Sequence, residues 1–324
     1  MIKKVALGLV GIMLLLTLSG YIYQSIRNQQ DLSKYPAPGE FYEIEGVKLH
    51  VDCRGTGSPV VVLEAGLTTG SLSWALVHDE IAEHTKVCAY DRPGIDWSEP
   101  IGRIADAREI GHRLNQLLGA AGITDDIVIV GMSAGGVYVR EFYKNFPGQI
   151  VGMVLVDSSH EQQGFRLPGG DDDSSIQLVL EACRFLQPTG LIRVLRLLDG
   201  FVDDIMPDSV SKDFVSGFKA ALNRSHSCSA IYWEMESFGI EVNDENLPAS
   251  LGDLPLTVLS QGNEVDEAGQ EQRDVWNLLQ LELAALSTRG QRFVAENSGH
   301  VIQFEQPQLV IDKIVLMVKS FQTD

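Results

Sequence analysis

Residues 127–136, IVIVGMSAGG, form an apolar, β-branched run that ends in a Gly-x-Ser-x-Gly motif centred on Ser133. A serine hydroxyl is a poor nucleophile unless it is held exposed beside a base, as happens at a tight turn from a strand into a helix. Such a turn needs small neighbours, which Gly131 and Gly135 supply. Because residues 135–146 have an apolar face at helical spacing, this stretch predicts a serine nucleophile on a strand–turn–helix unit.

A serine nucleophile needs a histidine as its base, and the chain contains seven histidines. His300 lies in ENSGHVIQFEQP, after the last predicted strand and before the last predicted helix. Loops at the carboxyl ends of parallel strands are where such a sheet places its site, so His300 is the predicted base. His160 also follows a strand end and stays open as an alternative.

The elements that must position these residues alternate along the chain. Residues 41–55 alternate in polarity around Glu45–Gly46 and predict a β-hairpin. Apolar runs predict buried strands, and residues with helical period predict helices between them; the strands are at 59–67, 86–94, 127–133 and 149–160, and the helices at 72–84 and 105–122. This α/β pattern predicts a mostly parallel central sheet with helices on both faces.

The alternation stops after His160. Helical patches without a convincing strand follow to about residue 250, and the sheet then resumes with strands at 254–262 and 291–297. We therefore expect a helical lid inserted before the last two strands, over the carboxyl ends of the sheet. The predicted domains are a membrane anchor or signal segment (1–23), a linker (24–39), the first part of the core (40–160), the lid (161–252) and the second part of the core (253–324).

The N-terminal segment is basic at Lys3 and Lys4 and carries no charge from residue 5 to residue 23. That length can span a bilayer, and the basic end is expected to stay in the cytoplasm. The favoured prediction is a transmembrane anchor with an extracytoplasmic body. Secretion after signal cleavage near residues 17–20 is the alternative.

Composition excludes several classes of ligand. The net charge of −19 argues against nucleic acid or anionic lipid head groups as partners of the main body. The chain has no His/Cys cluster with metal-ligand spacing and no glycine-rich nucleotide motif. No metal and no cofactor are therefore expected.

Four motifs occur in one order: LEAG followed by Leu67, then YDRPGIDWS, GMSAGG and SGH. Together they resemble the α/β-hydrolase fold family over about residues 40–320. The resemblance implies cleavage of esters and related acyl bonds, whereas relatives that act on epoxides or haloalkanes use an aspartate at the position of Ser133. It also implies an oxyanion hole formed by the backbone N–H groups of Leu67 and Ala134. Glu64 stands where many relatives have a histidine.

The resemblance leaves three candidates for the acid that orients His300. Most relatives carry it after the strand that follows the lid, where Glu264 and Asp266 are found. Others carry it at the end of the strand before the lid, where Asp157 is found. Asp157 is preferred because it directly follows a buried strand, and Asp266 and Glu264 remain alternatives.

The four cysteines can pair in an exported protein. In the fold that the chain resembles, the strand containing Cys53 runs antiparallel beside the strand containing Cys88, which predicts a disulfide between them. Cys183 and Cys228 are the predicted second pair, within the lid.

These observations predict a membrane-tethered serine esterase that cleaves a small or medium apolar ester through an acyl-enzyme. An acyltransferase or a peptidase (amidase) with the same residues, and a non-catalytic binding protein, are the alternatives. Apolar lid residues could line an acyl pocket or form the core of the lid; they include Phe185, Leu191, Leu195, Tyr232 and Trp233.

Overall fold

The computed structural model describes residues 2–124, 126–168, 174–207, 210–241 and 247–322. The chain divides into two compact units, one formed by Met1–Ala37 with Asp173–Tyr232 and the other by Pro38–Asp172 with Trp233–Asp324. The region predicted as the lid, residues 161–252, is called the helical insertion below. The first unit groups the N-terminal helix with most of this insertion, whereas the predicted domains listed the two separately.

The second unit contains an eight-stranded sheet of order β1-β2-β4-β3-β5-β6-β7-β8. Its strands are β1 Glu40–Ile44, β2 Val47–Arg54, β3 Val60–Glu64, β4 Val87–Tyr90, β5 Ile127–Met132, β6 Ile150–Val156, β7 Leu256–Gln261 and β8 Gly290–Ala295. Strand β2 is antiparallel to both of its neighbours, and all pairs from β4 to β8 are parallel. The predicted mostly parallel α/β fold is confirmed.

Helices cover both faces of this sheet. They are α2 His78–Ala82, α3 Ala107–Ala120, α4 Gly135–Asn145, α5 Gln163–Arg166, α11 Glu267–Ala285, α12 Ile302–Glu305 and α13 Pro307–Gln322. Side chains of β5 alternate between two buried clusters: Ile127 and Ile129 pack with α3 and α4, and Val128 and Val130 pack with α2 and α13. The region 72–84, predicted as one helix, consists of a 3₁₀ turn at Ser71–Trp74 followed by the short α2.

The first unit consists of helices joined by turns and short irregular segments in its described residues. It contains α1 Ile2–Lys34, α6 Ser174–Leu186, α7 Leu191–Val194, α8 Asp199–Ile205, α9 Lys212–Leu222 and the first residues of α10 Ser227–Glu241, with a 3₁₀ turn at Gln187–Thr189. Within the described residues of 161–252 no β-strand occurs, as predicted. The segment 24–39, predicted as a linker, is instead helical as far as Lys34.

Packing explains why α1 continues beyond its apolar stretch. Gln24 donates a hydrogen bond of 2.6 Å to the Asn223 carbonyl, and Arg193 pairs with Asp31 at 2.5 Å. These polar contacts hold the last turns of the helix against the insertion, and the helix ends at Lys34, before Pro36 and Pro38.

Both predicted disulfides are present in the structure. Cys53 and Cys88 are register partners on the antiparallel strands β2 and β4 and are bonded to each other. Cys183 on α6 is bonded to Cys228 on α10.

Candidate active site

Ser133 lies at the turn between β5 and α4, and its φ of +53° is in the left-handed region. Glycine neighbours make this turn possible. A Cβ on Gly131 would lie 2.6 Å from the Gly135 carbonyl oxygen, and one on Gly135 would lie 2.6 Å from the Ala65 carbonyl oxygen. The strained turn therefore presents a half-buried serine at the carboxyl edge of the sheet.

His300 connects Ser133 with a carboxylate. Its Nε2 lies 3.0 Å from the Ser133 Oγ, and its Nδ1 lies 2.7 Å from Oδ2 of Asp157. The carboxyl ends of parallel strands bring the three together, since Ser133 follows β5, Asp157 follows the adjacent β6 and His300 lies in the loop after β8. This is the hydrogen-bond chain in which a histidine can remove a serine proton.

Asp157 is completely buried and is held through its second oxygen. Oδ1 accepts hydrogen bonds of 2.9 Å from the Gln261 backbone N–H and from the Trp276 indole N–H. Those two donors leave Oδ2 directed at His300, so the carboxylate has one orientation. Neither donor was singled out from the sequence, because an indole on α11 becomes a partner only through the packing of that helix.

The two alternative acids are placed differently. Asp266 is the N-cap of α11 and accepts a hydrogen bond from the Gly269 N–H at 3.0 Å. Glu264 lies in the loop between β7 and α11. The structure thus brings Asp157 to His300, and it assigns Asp266 a local capping contact.

His160, the alternative base, lies in another cluster. Its Nδ1 accepts a hydrogen bond from the Gln162 N–H at 3.0 Å, and Nδ1 is 3.6 Å from Glu161. Burial lowers the pKa of His160. Its contacts are those of a buried structural histidine.

Leu67 and Ala134 lie at the same end of neighbouring strands. Glu64 of β3 is the register partner of Gly131 of β5, and each of the two residues follows three positions later. Neither backbone N–H has an acceptor among the described residues. Gly66, the residue before Leu67, lies close to the serine, since a Cβ on it would be 3.2 Å from the Ser133 Cβ. Unpaired N–H groups near a nucleophile are what an oxyanion hole requires.

A buried ion cluster holds the loop that carries Leu67. Arg92 donates to the Ala65 and Gly66 carbonyl oxygens at 2.9 and 2.7 Å. The same guanidinium pairs with Glu64 at 2.5 Å and with Glu234 of α10 at 2.7 Å. The buried guanidinium of Arg92 therefore fixes the position of this loop.

The electrostatics of this cluster follow from burial and charge. Burial alone would lower the pKa of Arg92, but Glu234 and Glu64 outweigh it and hold the pKa well above its usual range. Burial raises the pKa of Glu64, although Arg92 and the hydroxyl of Tyr90, which donates to Glu64, oppose that shift. Glu234 also accepts the Thr68 N–H at 2.9 Å. The sequence carried no signal for Glu234, which comes from the insertion.

A cavity of about 380 Å³ adjoins His300. Its lining combines apolar side chains with a cation and includes Leu167, Val265, Arg273 and Trp276. The space is of the size that small-molecule sites occupy.

Comparison with known proteins gives one family. The sequence model of the alpha/beta hydrolase family matches residues 60–313. A curated relative, the uncharacterized protein YqjL of Bacillus subtilis, is 24% identical over 270 residues, which covers 83% of this chain and 87% of that protein.

Solved structures show the same fold at low identity. An esterase from Thermogutta terrifontis is 18% identical with a TM-score of 0.62, and the match covers 87% of this chain and 98% of the esterase. A putative epoxide hydrolase from Pseudomonas aeruginosa is 15% identical with a TM-score of 0.66, covering 87% and 95% of the two chains.

Proposed function

Because the chain belongs to the alpha/beta hydrolase family, we propose that it is a serine hydrolase that cleaves carboxylic esters. The observation that carries the proposal is the position of His300, within hydrogen-bond distance of both Ser133 and Asp157. The esterase among its structural neighbours is consistent with this activity.

In the proposed mechanism the Ser133 Oγ attacks the acyl carbon while His300 Nε2 takes the hydroxyl proton. Asp157 holds the Nδ1 proton of His300 and stabilises the cation that forms. The N–H groups of Leu67 and Ala134 stabilise the oxyanion, an effect of roughly 3 kcal/mol for each donor. His300 then protonates the leaving alcohol, and water releases the acyl group by the same steps in reverse order.

A serine at this position distinguishes the proposal from epoxide opening. A carboxylate nucleophile forms an alkyl ester that water can hydrolyse, whereas a serine would form an ether, which the same site could not release. Ser133 at the turn therefore favours acyl chemistry over the activity named for the Pseudomonas neighbour. Transfer of the acyl group to an alcohol or an amine would use the same residues, with the acceptor replacing water.

The test is covalent labelling with a fluorophosphonate, followed by hydrolysis of p-nitrophenyl acyl esters. The wild-type chain should be labelled and active, and Ser133→Ala should lose both labelling and about 10⁴-fold or more in kcat. Ser216→Ala, which changes an exposed serine of α9, is the matched control and should behave as wild type. Undiminished hydrolysis by Ser133→Ala would rule out the proposed nucleophile.

We further propose that α1 is an uncleaved membrane anchor with the rest of the chain extracytoplasmic. Among the described residues its segment Lys3–Lys34 has the length and composition of a membrane span, with a mean hydropathy of 2.2 and no buried portion in its apolar window. Gly20 packs on the Thr189 carbonyl and Tyr23 packs on Gly190. The region where a signal peptidase would cut is therefore helical and in contact with the helical insertion. N-terminal sequencing of membrane-fractionated protein tests this, and a mature N-terminus after residue 20 would contradict it.

A further inference from the structure

The helical insertion has an exposed apolar face. On α6, Leu178 is 72% exposed and Phe185 is 60% exposed. The face continues beyond the 3₁₀ turn with Leu191, Val194, Leu195, Leu197 and Phe201, all of them exposed. Phe185, Leu191 and Leu195 therefore do not form a buried core of the insertion. A soluble surface seldom exposes so many large apolar side chains along one stretch.

The position of this face relative to α1 is determined within one compact unit. A Cβ on Gly20 would lie 2.1 Å from the Thr189 carbonyl oxygen, and one on Gly190 would lie 2.9 Å from the Tyr23 ring. The turn between α6 and α7 thus packs directly on α1 at the end of its apolar stretch. The exposed face starts on both sides of that turn.

The geometry of α1 gives the depth at which this contact would lie in the membrane. Residues 5–23 carry no charge and, at about 1.5 Å per residue, span roughly 28 Å, close to the thickness of the hydrocarbon core. Tyr23 then emerges at the boundary between acyl chains and head groups, which is a preferred depth for tyrosine. Gly190, in contact with Tyr23, lies at that same depth, and α7 begins at the next residue.

We propose that the outer leaflet of the bilayer covers the exposed apolar face of the insertion, so that α6 and α7 lie in the interface as a second membrane contact. The inference rests on the proposed anchoring of α1. Removal of apolar side chains from water drives the contact.

Charge has a minor part in this contact. Arg193 is paired with Asp31, and Arg196 is paired with Asp199. Because these cations are already neutralised by carboxylates, anionic head groups are not needed. The contact is expected to form on phosphatidylcholine and to persist at high salt.

Depth-dependent quenching tests the proposal on the full-length protein in phosphatidylcholine nanodiscs. The native cysteines are disulfide-bonded, so a single introduced cysteine can carry a fluorophore. Leu195→Cys reports on the insertion, and Leu178→Cys is a second, independent reporter. Leu15→Cys reports on the span.

Ser216→Cys is the matched control in the same unit. Its neighbour Gly217 packs on Tyr35, twelve residues beyond Tyr23 and therefore about 18 Å farther along the helix direction. A lipid that carries its nitroxide near the head group should quench the labels at 195 and 178. A lipid that carries its nitroxide deep in the acyl chain should quench the label at 15 to the same extent. The label at 216 should keep its fluorescence, and added salt should change none of these values.

Each other outcome overturns the inference in a distinguishable way. If the label at 15 is quenched while those at 195 and 178 are as bright as that at 216, the anchor stands and the second contact is wrong. Absence of quenching at 15 removes both the anchor and the inference. Labels at 195 and 178 that are shielded from water but unquenched by lipid would show that a second copy of the chain covers the face. Ester hydrolysis by each labelled protein verifies folding.

Discussion

Asp157→Asn is the most informative single change at the proposed site, because the surroundings of the carboxylate dictate how the amide must sit. Oδ1 of Asp157 accepts two hydrogen bonds, from the Gln261 N–H and the Trp276 indole N–H, each of 2.9 Å. An asparagine in this place has to present its carbonyl oxygen to those donors. Its NH₂ group then replaces Oδ2, which lies 2.7 Å from Nδ1 of His300.

The consequence is the wrong tautomer of the base. An amide N–H directed at His300 requires Nδ1 to be an acceptor, so the ring proton moves to Nε2, which faces Ser133 at 3.0 Å. A protonated Nε2 cannot take the serine proton. We expect kcat to fall by about 10⁴-fold, equivalent to about 5 kcal/mol of activation free energy. Flipping the amide would not restore activity, since its NH₂ would then confront two donors in a fully buried position.

The assay is steady-state hydrolysis of a p-nitrophenyl ester, with thermal unfolding to confirm that the variant is folded. Asp266→Asn and Glu264→Gln are the matched controls. Asparagine caps a helix as well as aspartate does, so Asp266→Asn preserves the N-cap of α11. Both controls should retain near-normal kcat.

Two results would refute this reasoning. Asp157→Asn with more than about a tenth of wild-type kcat would show that the carboxylate does not govern the tautomer. A large loss of kcat in Asp266→Asn would instead move the orienting acid to the loop after β7.

Three further predictions concern stability. Glu234→Ala should lower the free energy of unfolding by about 3 kcal/mol, since Arg92 loses a buried partner. Glu234→Gln removes the charge but keeps an acceptor oxygen for Arg92, so it should lose less; urea unfolding measures both, and an unchanged free energy of unfolding in Glu234→Ala would contradict the prediction. Replacing Cys53 and Cys88 together by serine should cost up to about 4 kcal/mol, the loop-closure entropy of their 35-residue separation, and an unchanged melting temperature would argue against the bridge. Burial, with a smaller contribution from a nearby arginine, lowers the pKa of His226 to about 4 from 6.5. The unfolded chain therefore binds a proton first as the pH falls, and stability should decrease between pH 6.5 and 4 by at most about 3 kcal/mol. His226→Gln should flatten that part of the melting-temperature profile, and a profile identical to wild type would exclude His226 as its cause.

Local sequence was sufficient for much of the fold. The strands and helices around Ser133 could be predicted because the spacing of apolar residues and the placement of glycines depend on contacts between residues close in sequence. The close approach of Gly131 to Gly135 is an example. The loop of His300 could also be predicted, since the carboxyl ends of parallel strands converge at one edge of a sheet. The single helix expected at 72–84 was wrong in detail, because an amphipathic period does not reveal a break that tertiary packing imposes.

The sequence favoured Asp157 over Glu264 and Asp266, but only the tertiary structure showed which carboxylate reaches His300, because all three lie near strand ends. The distance to His300 depends on the order of β5 to β8 and on the packing of α11, which brings Trp276 to the carboxylate. Contacts that join remote segments were likewise absent from any local pattern.

Two such contacts illustrate this. Glu234 reaches Arg92 across 142 positions of sequence, and Gln24 reaches Asn223 across 199. A polar residue on a helix has the same local signature whether it faces water or a partner. The role of such a residue is therefore decided only when the chain folds, because folding replaces the water around the polar group with a buried protein partner.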